Sequence, residues 1–423
     1  MKKLVYSTIL VLLVTQIHGQ KKLNLNKINK EANSFYEKKE YNLAKNRYLK
    51  VIEYSDFRSQ KQSAAYNAAC CLALDKKVDS AFILLQTAIN YGYNNKSHLK
   101  RDSDLEILHT NSKWKKIVHT IPSSKVLNSN PELAKILTKD VSHFWEAYDL
   151  SIKDSENTRE IYEKHYFDKA SDGMQDYMGA KVNSINTFIK HINSHPKLYK
   201  TIRSNTLRVD EYKKEIQQSF KNFKRLYNEA KFPDVYFVIG AFTSGGTVSS
   251  SGLLIGTNQM SGGESVDTTE LSYGAKLLLS NSKYLPNVVA HELIHFQQDE
   301  MKRDTITLGY AIKEGMADFI GELISGETAN RKIFDWAEGK EKDIWSAFKK
   351  DMYYDRYSNW IANSRTVSKD SFPDLGYWVG YQICKSYYEN AKDKKKAIYE
   401  MLHIKNYKKF LADSKLEQKI NKM

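Results

Sequence analysis

Proline and glycine are scarce in this chain, which has 6 prolines and 19 glycines among its 423 residues. That scarcity excludes a proline-rich stalk, a collagen-like repeat and a glycine-rich solenoid. No apolar run beyond the N-terminus reaches the length of a membrane span. With few helix breakers and many Lys, Asn and Tyr residues, the composition predicts a mainly helical protein of two or three domains.

Cysteine is rarer still, with only 3 residues. Cys70 and Cys71 are adjacent in an alanine-rich helical stretch, and Cys384 is remote in sequence. A neighbouring pair on one helix is badly placed for an unstrained disulfide, and no Cys-x-x-Cys motif is present. We therefore expect three buried thiols that behave as small apolar side chains.

Arginine makes up a small part of the 65 basic residues, although the formal net charge is +15. Arginine is the side chain best suited to bidentate phosphate recognition. The lysines alternate with acidic residues, as in Lys38-Lys39-Glu40, which is typical of a solvated surface. The charge pattern does not support nucleic acid as a partner.

The N-terminus has the pattern of a secretory signal peptide. Lys2 and Lys3 precede a short apolar run over residues 4–14, and the small Gly19 stands before Gln20. The run is too short to anchor a protein in a bilayer, and no cysteine lies near the expected cleavage point. We predict a signal peptide over 1–19, an exported mature protein in the periplasm or outside the cell, and no stable membrane anchor after cleavage.

Residues 20–121 contain an internal repeat. Small and apolar residues recur 37 positions apart, most clearly at Ala32 with Ala69 and at Ala44 with Ala81. Small residues at this spacing favour closely packed helical hairpins, as in a tetratricopeptide-like array. Such an array either binds a protein partner or serves as a helical spacer, and the sequence leaves both open. Residues 122–130 read as a linker, and 131–423 as a second domain.

The second domain is expected to be helical over 131–230 and to form a small sheet over about 234–257. The β-branched and aromatic run 235–239 and the apolar run 253–256 are flanked by glycine and serine, which indicates two short strands. We expect the strand at 253–256 to form the exposed rim of a cleft that pairs with an extended peptide. Two further helices are expected over about 286–325.

A metal-binding pattern occurs in the first of these helices. His291-Glu292-Leu293-Ile294-His295 places two imidazoles one turn apart on the same face, so both can reach one ion. Glu292 adjoins the first ligand and is placed to take a proton from metal-bound water. Two histidines and a glutamate in an otherwise apolar helix would be costly to bury without such partners.

A third ligand is available in the next helix. Glu314 lies 19 positions after His295, far enough for the chain to turn back and present its carboxylate. Gly315 would let the two helices approach closely. Asp318, one turn further, can accept the free N–H of a metal-bound imidazole. The donor set predicts Zn²⁺ held by His291, His295 and Glu314.

These segments resemble a known family. The His-Glu-x-x-His motif followed by Glu314-Gly315-Met316-Ala317-Asp318 resembles the gluzincin metallopeptidases. Residues 144–149, 245–247 and 376–381 extend the similarity to an uncharacterised bacterial family of predicted zinc-dependent peptidases, over roughly 130–415. The resemblance implies a zincin-like metallopeptidase domain that hydrolyses peptide or protein substrates.

The resemblance also implies roles for single residues. His291, His295 and Glu314 would bind zinc, Glu292 would act as general base, and Asp318 would support a ligand. The family pattern does not fix the residue that stabilises the oxyanion. Our candidates are Tyr377 and Tyr381, followed by Tyr310 and Arg356.

The main functional interpretation is therefore an exported zinc metallopeptidase with tetratricopeptide-like repeats. An alternative of a different class is a non-catalytic, zinc-containing envelope assembly or docking protein that uses the helical repeats. A third interpretation, a zinc hydrolase acting on non-peptide amides, requires the same residues. A structural zinc site is usually closed by four protein ligands, so an open coordination position would favour an enzyme.

Overall fold

The computed structural model describes residues 24–121, 128–298, 301–302, 304–367 and 371–422. The chain is mainly helical with one small sheet, which confirms the fold class at this level. The expected signal peptide over 1–19 lies outside the described residues, as do residues 122–127 of the expected linker. All three cysteines are buried and free, as expected.

The N-terminal region is an array of helical hairpins. It consists of α1 (Leu25–Glu37), α2 (Tyr41–Tyr54), α3 (Arg58–Leu74), α4 (Val78–Asn90), α5 (Lys96–Arg101) and α6 (Ser112–Thr120). The repeated alanines Ala32, Ala44, Ala69 and Ala81 are fully buried where the helices pack. Their lack of bulk allows the close approach that the 37-residue repeat predicts.

The second region begins with further helices around an aromatic core. They are α7 (Lys139–Lys153), α8 (Thr158–Tyr162), α9 (Asp172–Tyr177), α10 (Ile185–Asn193), α11 (Pro196–Leu207) and α12 (Lys213–Leu226). Two π-helical turns, Glu163–Phe167 and Met178–Val182, continue α8 and α9. Phe144 packs edge-on against Trp145 and Tyr166 in this core.

The sheet has four strands: β1 (Ile136–Leu137), β2 (Asp234–Val238), β3 (Gly246–Val248) and β4 (Gly252–Gly256). Their order is β1-β2-β4-β3, with β3 antiparallel to β4 and the other pairs parallel. Leu254 pairs with Tyr236 on one side and Thr247 on the other. The expectation that 253–256 forms an exposed rim is therefore wrong, because β4 is interior and β3 is the edge strand.

The remaining helices complete the domain. They are α13 (Tyr273–Leu278), α14 (Leu285–Gln297), α15 (Thr307–Ser325), α16 (Arg331–Ala337), α17 (Glu341–Asp351), α18 (Leu375–Asn390), α19 (Lys394–Leu402), α20 (Tyr407–Ser414) and α21 (Leu416–Lys422). Pro286 lies in the first turn of α14, where its missing N–H leaves no unpaired donor. All residues from 285 to 294 are buried, so α14 is a core helix.

Helix α15 lies between α14 and α18, and glycines permit both contacts. Gly321 faces the backbone of His291 in α14, where a Cβ would lie 3.3 Å from the His291 nitrogen. Gly315 instead faces α18, where a Cβ would overlap the backbone of Gly380 and Tyr381. A Cβ on Gly380 would in turn overlap the carbonyl oxygen of Ala311. The expectation that Gly315 brings α14 and α15 together is thus wrong.

The array contacts the second region at the start of α3. Phe57 packs against Phe167 with ring centroids 5.7 Å apart. The Gln60 side-chain amide donates to the Gly179 carbonyl at 2.8 Å, within the second π-helical turn. The Ser59 hydroxyl donates to the Gln175 carbonyl at 3.1 Å. One end of α3 therefore joins the two regions through apolar and polar contacts.

Candidate metal centre

Helix α14 directs two imidazoles toward one point. His291 is only 6 % exposed, and the ring centroids of His291 and His295 are 4.6 Å apart with planes inclined by 81°. Their Nε2 atoms are separated by 3.0 Å. The one-turn spacing on a continuous helix places both rings on the same face.

Helix α15 brings a carboxylate to the same point. The Glu314 Oε2 atom lies 2.9 Å from His295 Nε2 and 3.8 Å from His291 Nε2. The structure thus brings together the three side chains that the sequence proposed as ligands, within 4.8 Å of one another.

The opposite ring nitrogens fix the orientation of both imidazoles. His291 Nδ1 donates to the Asp318 carboxylate at 2.8 Å. His295 Nδ1 donates to the Gln298 side-chain oxygen at 2.8 Å, and the Gln298 amide nitrogen is itself committed to the Lys313 carbonyl at 2.9 Å. With Nδ1 protonated in each neutral ring, the Nε2 atoms present lone pairs.

This arrangement fits a metal ion. Two imidazole lone pairs and a carboxylate oxygen that face one another at 2.9–3.8 Å are unfavourable unless a proton or a cation lies between them. Tetrahedral zinc, with ligand bonds of about 2.0–2.2 Å, separates its ligand atoms by roughly these distances. His291, His295 and Glu314 could therefore hold Zn²⁺, whose assignment stays a prediction.

The charges of the three side chains depend strongly on one another. Burial alone would raise the pKa of Glu314, but His295 and His291 hold it well below its usual value. Burial alone would lower the pKa of His291, but Asp318 and Glu314 raise it well above its usual value. Without a metal, the cluster therefore favours a carboxylate beside a protonated imidazole, so positive charge is stabilised at this point.

Asp318 is held rigidly behind His291. It is 1 % exposed, and its two carboxylate oxygens accept hydrogen bonds from the Asn330 amide at 2.8 and 3.0 Å. A ligand imidazole that donates to a fixed carboxylate keeps its tautomer and becomes a better donor to a metal. Asp318 therefore has the position that the sequence proposed for it.

Glu292 lies beside the three candidate ligands without belonging to them. It is 6 % exposed, and Gly246 of β3 packs directly against its carboxylate. Burial raises the pKa of Glu292, while His295 and His291 act in the opposite direction. A side chain larger than hydrogen at position 246 would collide with this carboxylate, so β3 and Glu292 share one wall.

The centre opens into a cleft of about 730 Å³. The cleft is lined by β3, by the loop before it, by α14 and α15, and by segments near Leu277 and Phe372. His291, Glu292 and Glu314 lie on its surface. A ligand that enters the cleft therefore reaches the candidate metal ligands directly.

The two tyrosines proposed from α18 have different surroundings. Tyr377 lines the cleft and stacks on His291, with ring centroids 5.9 Å apart and planes inclined by 16°. Burial and the neighbouring Glu314 raise its pKa well above the usual value. Tyr381 is not part of the cleft, because its hydroxyl donates to Glu322 at 2.6 Å and its ring packs against Phe334.

The two weaker candidates also lie elsewhere. Tyr310 packs against Tyr357 with ring centroids 4.7 Å apart, and Arg356 pairs with Asp351 at 2.9 Å. Neither side chain lines the cleft. Of the four residues proposed to stabilise an oxyanion, the structure brings only Tyr377 to the centre.

Three features of the centre were not predicted from the sequence. Gln298 orients His295, and its position three residues later, at the C-cap of α14, was a usable signal for a contact on the same face. Asn330 fixes Asp318 from a separate turn and has no local signature. The edge position of β3 follows from strand order, and the usable signal was that β4 is continuously apolar, as an interior strand is, whereas β3 contains the polar Thr247.

A second cluster of possible metal ligands in the described part of the chain has a different character. Cys70, Asp102 and Asp104 bring ligand atoms within 4.8 Å of one another in the array. Asp102 already accepts a hydrogen bond from the Tyr66 hydroxyl at 2.6 Å, and Asp104 accepts one from Tyr36. Burial and Asp102 raise the pKa of the Cys70 thiol. The two carboxylates of this cluster therefore already accept hydrogen bonds from neighbouring tyrosines.

Comparison with known proteins gives a family. The sequence profile of the family described as Gliding motility protein GldB matches residues 127–418, well over half of the chain. The chain belongs to this gliding motility family. No curated protein and no solved structure matches the GldB-family chain.

The family match corrects the resemblance drawn from the sequence. The matching family is a gliding motility family, not a family of gluzincin or other zinc metallopeptidases, so the peptidase identification is wrong. The expected function, an exported metalloprotease that hydrolyses peptide bonds, is overturned by the same match, as is the description of the chain as a tetratricopeptide-repeat hydrolase. The His-Glu-x-x-His spacing therefore does not identify a protease here.

The family match bears on location as well. It indicates an exported, envelope-associated protein, which confirms the expected export at this level. Within the described residues, every helix is too short or too polar to span a bilayer.

Proposed function

We propose that this GldB-family chain is an exported, envelope-associated protein of gliding motility that holds zinc and docks a partner without catalysing a reaction. It would work in the periplasm or at the outer face of the cell. The observation that supports this best is the family match over residues 127–418. It favours the assembly or docking interpretation over hydrolysis.

The metal part of the proposal is supported by the ligand geometry. His291 and His295 donate neutral imidazole nitrogens, and Glu314 donates a carboxylate oxygen. Zinc bound there would supply a fixed positive charge that ties α14 to α15. The chain's own residues would orient the ligands, through Asp318 and Gln298, and would keep the site largely buried.

The number of ligands is compatible with a docking role for the centre. A closed structural zinc site has four protein ligands, whereas the described residues bring three within reach. The fourth donor would then come from water or from a docked molecule in the cleft. An open position thus suits a site completed by a partner, as well as the enzyme that the sequence alone favoured.

The helical array offers a second contact surface for a protein partner. Several large apolar side chains point outward from α2 and α4: Leu43 is 45 % exposed, Tyr54 is 45 % exposed and Ile83 is 67 % exposed. Helical arrays of this kind commonly bind partners through side chains exposed on their helices. These side chains support the proposal that the repeats bind a protein.

The proposal is tested in gliding cells that lack the endogenous chain and carry wild type, Glu314→Gln or Glu292→Gln. A docking protein that needs its metal would lose gliding with Glu314→Gln and keep it with Glu292→Gln, because only catalysis requires the Glu292 carboxylate as a base. Immunoblotting and zinc analysis of each purified variant provide the controls. Loss of gliding with a folded, zinc-loaded Glu292→Gln protein would refute a non-catalytic role.

A further inference from the structure

We propose that the metal-loaded cleft binds a carboxylate on an extended segment of a partner protein. The carboxylate would complete the ligands of the metal, in a cleft that is also lined by Lys181 and Lys313. This inference rests on the proposed metal site and names the chemical group that completes it.

The cleft contains cations of two kinds. Its basic lining residues are Lys181, Lys313, Arg331 and Lys332. Arg331 is committed to Asp335 at 2.7 Å, and Lys332 donates to the Leu279 carbonyl at 2.7 Å. These two side chains therefore already have partners.

Lys181 and Lys313 differ from them. Within the described parts of the chain, neither ammonium group makes a hydrogen bond or an ion pair. Lys181 belongs to the second π-helical turn and lines the same cleft as Glu292. Lys313 precedes the ligand Glu314 and is exposed. Two uncommitted cations thus line the cleft that also contains the candidate metal ligands.

The carboxylates of the cleft do not cancel this positive charge. Glu314 is a candidate ligand, and Glu292 is packed against β3. Asp374 lies at the cleft with its carboxylate accepting from the Ala362 amide at 2.6 Å. With Arg331 neutralised by Asp335, a dication together with Lys181, Lys313 and Lys332 exceeds these three carboxylates and Asp318 behind His291 by one charge. A ligand that brings one negative charge would neutralise the loaded cleft.

The type of anion follows from the cations and from zinc chemistry. Carboxylate oxygen is a regular zinc ligand at about 2.0–2.2 Å, and single ammonium groups bind it as point charges. Bidentate recognition of a phosphate would favour arginine, and the Arg331 guanidinium already pairs with Asp335. The observations therefore favour a carboxylate over a phosphate.

The sheet edge favours a polypeptide as the carrier of the carboxylate. Ser249 and Gly245 face β4, since Ser249 donates to Gly252 and Gly245 accepts from Gly256, both at 2.9 Å. By the alternation of an antiparallel pair, the backbone of Gly246 and Val248 faces away from β4, and both residues line the cleft. The Gly246 carbonyl accepts from the Ser244 hydroxyl at 2.6 Å and retains a second lone pair for a paired segment. An extended segment could pair with this edge while its carboxylate reaches the metal.

The test uses the full chain loaded with Co²⁺, whose visible absorption reports a change of ligand at the metal. Three short peptides of the same apolar sequence are titrated: one with an internal Glu and an amidated end, one with a free C-terminal carboxylate, and one neutral and amidated. We expect a saturable spectral change with one or both acidic peptides and none with the neutral one. The peptide that produces the spectral change shows whether the site prefers a side-chain carboxylate or a C-terminal carboxylate.

Substitutions test whether Lys181 and Lys313 contribute to binding of the acidic peptide. Lys181→Gln with Lys313→Gln should weaken binding of the acidic peptide about tenfold or more, whereas Lys350→Gln, an exposed lysine on α17, should leave it unchanged. A cobalt-loaded protein that responds equally to the neutral peptide, or to none, would overturn the inference alone. A chain that takes up no cobalt would overturn the metal site itself and this inference with it.

Discussion

Two histidine pairs in this domain have the same sequence spacing but different surroundings. His191 and His195 are four residues apart, as are His291 and His295. Their ring centroids are almost equally close, at 4.4 and 4.6 Å. Only the second pair directs two imidazole nitrogens at a common point with a carboxylate.

The first pair lacks a continuous helix. Helix α10 ends at Asn193, so His195 lies between α10 and α11, and its Nδ1 lies 2.8 Å from the His191 carbonyl oxygen. Among the described residues, the buried His191 Nε2 has no hydrogen-bond partner, and its ring neighbours are Tyr199 and Phe242. No third ligand approaches this pair in the described structure.

The difference shows which contacts, beyond spacing, distinguish the candidate metal centre from the first pair. The second pair lies within one unbroken helix, each Nδ1 has a fixed acceptor, and a neighbouring helix supplies an anionic oxygen. Each of these conditions is a contact that can be removed separately. The following predictions do so, in order of decreasing effect.

Removal of the anionic oxygen should have the largest effect. Glu314→Gln replaces the carboxylate with a neutral amide, so we expect zinc affinity to fall by at least about 100-fold. Competition with a chromophoric chelator measures this affinity. The matched control is His191→Gln, which alters the other pair and should leave zinc affinity unchanged. Equal losses in the two variants would contradict the distinction between the pairs.

Removal of the fixed acceptor behind His291 should have a smaller effect. Asp318→Asn keeps the size of the side chain but removes the charge that holds the Nδ1 proton, and such losses typically lower metal affinity by about 10–100-fold. The same chelator competition applies. Asp351→Asn, which alters a carboxylate that pairs with Arg356 away from the cleft, is the control. Unchanged affinity in Asp318→Asn would show that Asp318 does not support the ligand.

The His191–His195 pair should affect the pH dependence of the free energy of unfolding and should not affect metal binding. Burial and the neighbouring His195 lower the pKa of His191 to about 3, so it is neutral in the folded protein. The unfolded chain, with a pKa near 6.5, binds the proton more readily. The stabilisation is thus complete above about pH 6.5 and is lost as the pH falls from there toward 3.

This pH dependence can be measured by urea unfolding of wild type and His191→Gln. Between pH 6 and 5, the wild-type free energy of unfolding should fall by about 1 kcal/mol more than that of the variant. Comparing the two proteins at each pH removes the contribution of all other titrating groups. Parallel curves would mean that His191 is accessible to protons in the folded state.

Much of the centre was predictable because its chemistry is local. Within α14, helical periodicity places His291 and His295 on one face, and within α15 it places Glu314 one turn from Asp318. The small sheet and the helical repeat were also visible, through β-branched runs and through the recurring alanines. These features depend on neighbours within about one turn or one repeat.

The wrong predictions concern features whose position is set by tertiary contacts. The order of the strands places β3 at the edge and β4 inside, and the continuous apolar run of β4 was a usable signal for an interior strand. Tyr381 and Tyr377 are also one helical turn apart, yet Glu322 and Phe334 hold the former away from the cleft. The peptidase interpretation failed for a related reason, since a ligand set defines a metal centre and not the biological use of it.

Helix α18 contributes no candidate metal ligand, yet its packing against α15 helps to fix the position of Glu314. At Gly380 its backbone touches that of α15, and no methyl group fits between them. Any side chain at 380 would act as a wedge on the helix that bears Glu314 and would shift the carboxylate relative to α14. The precision of the centre is thus set partly by a residue with no side chain, on an element that contributes no donor atom.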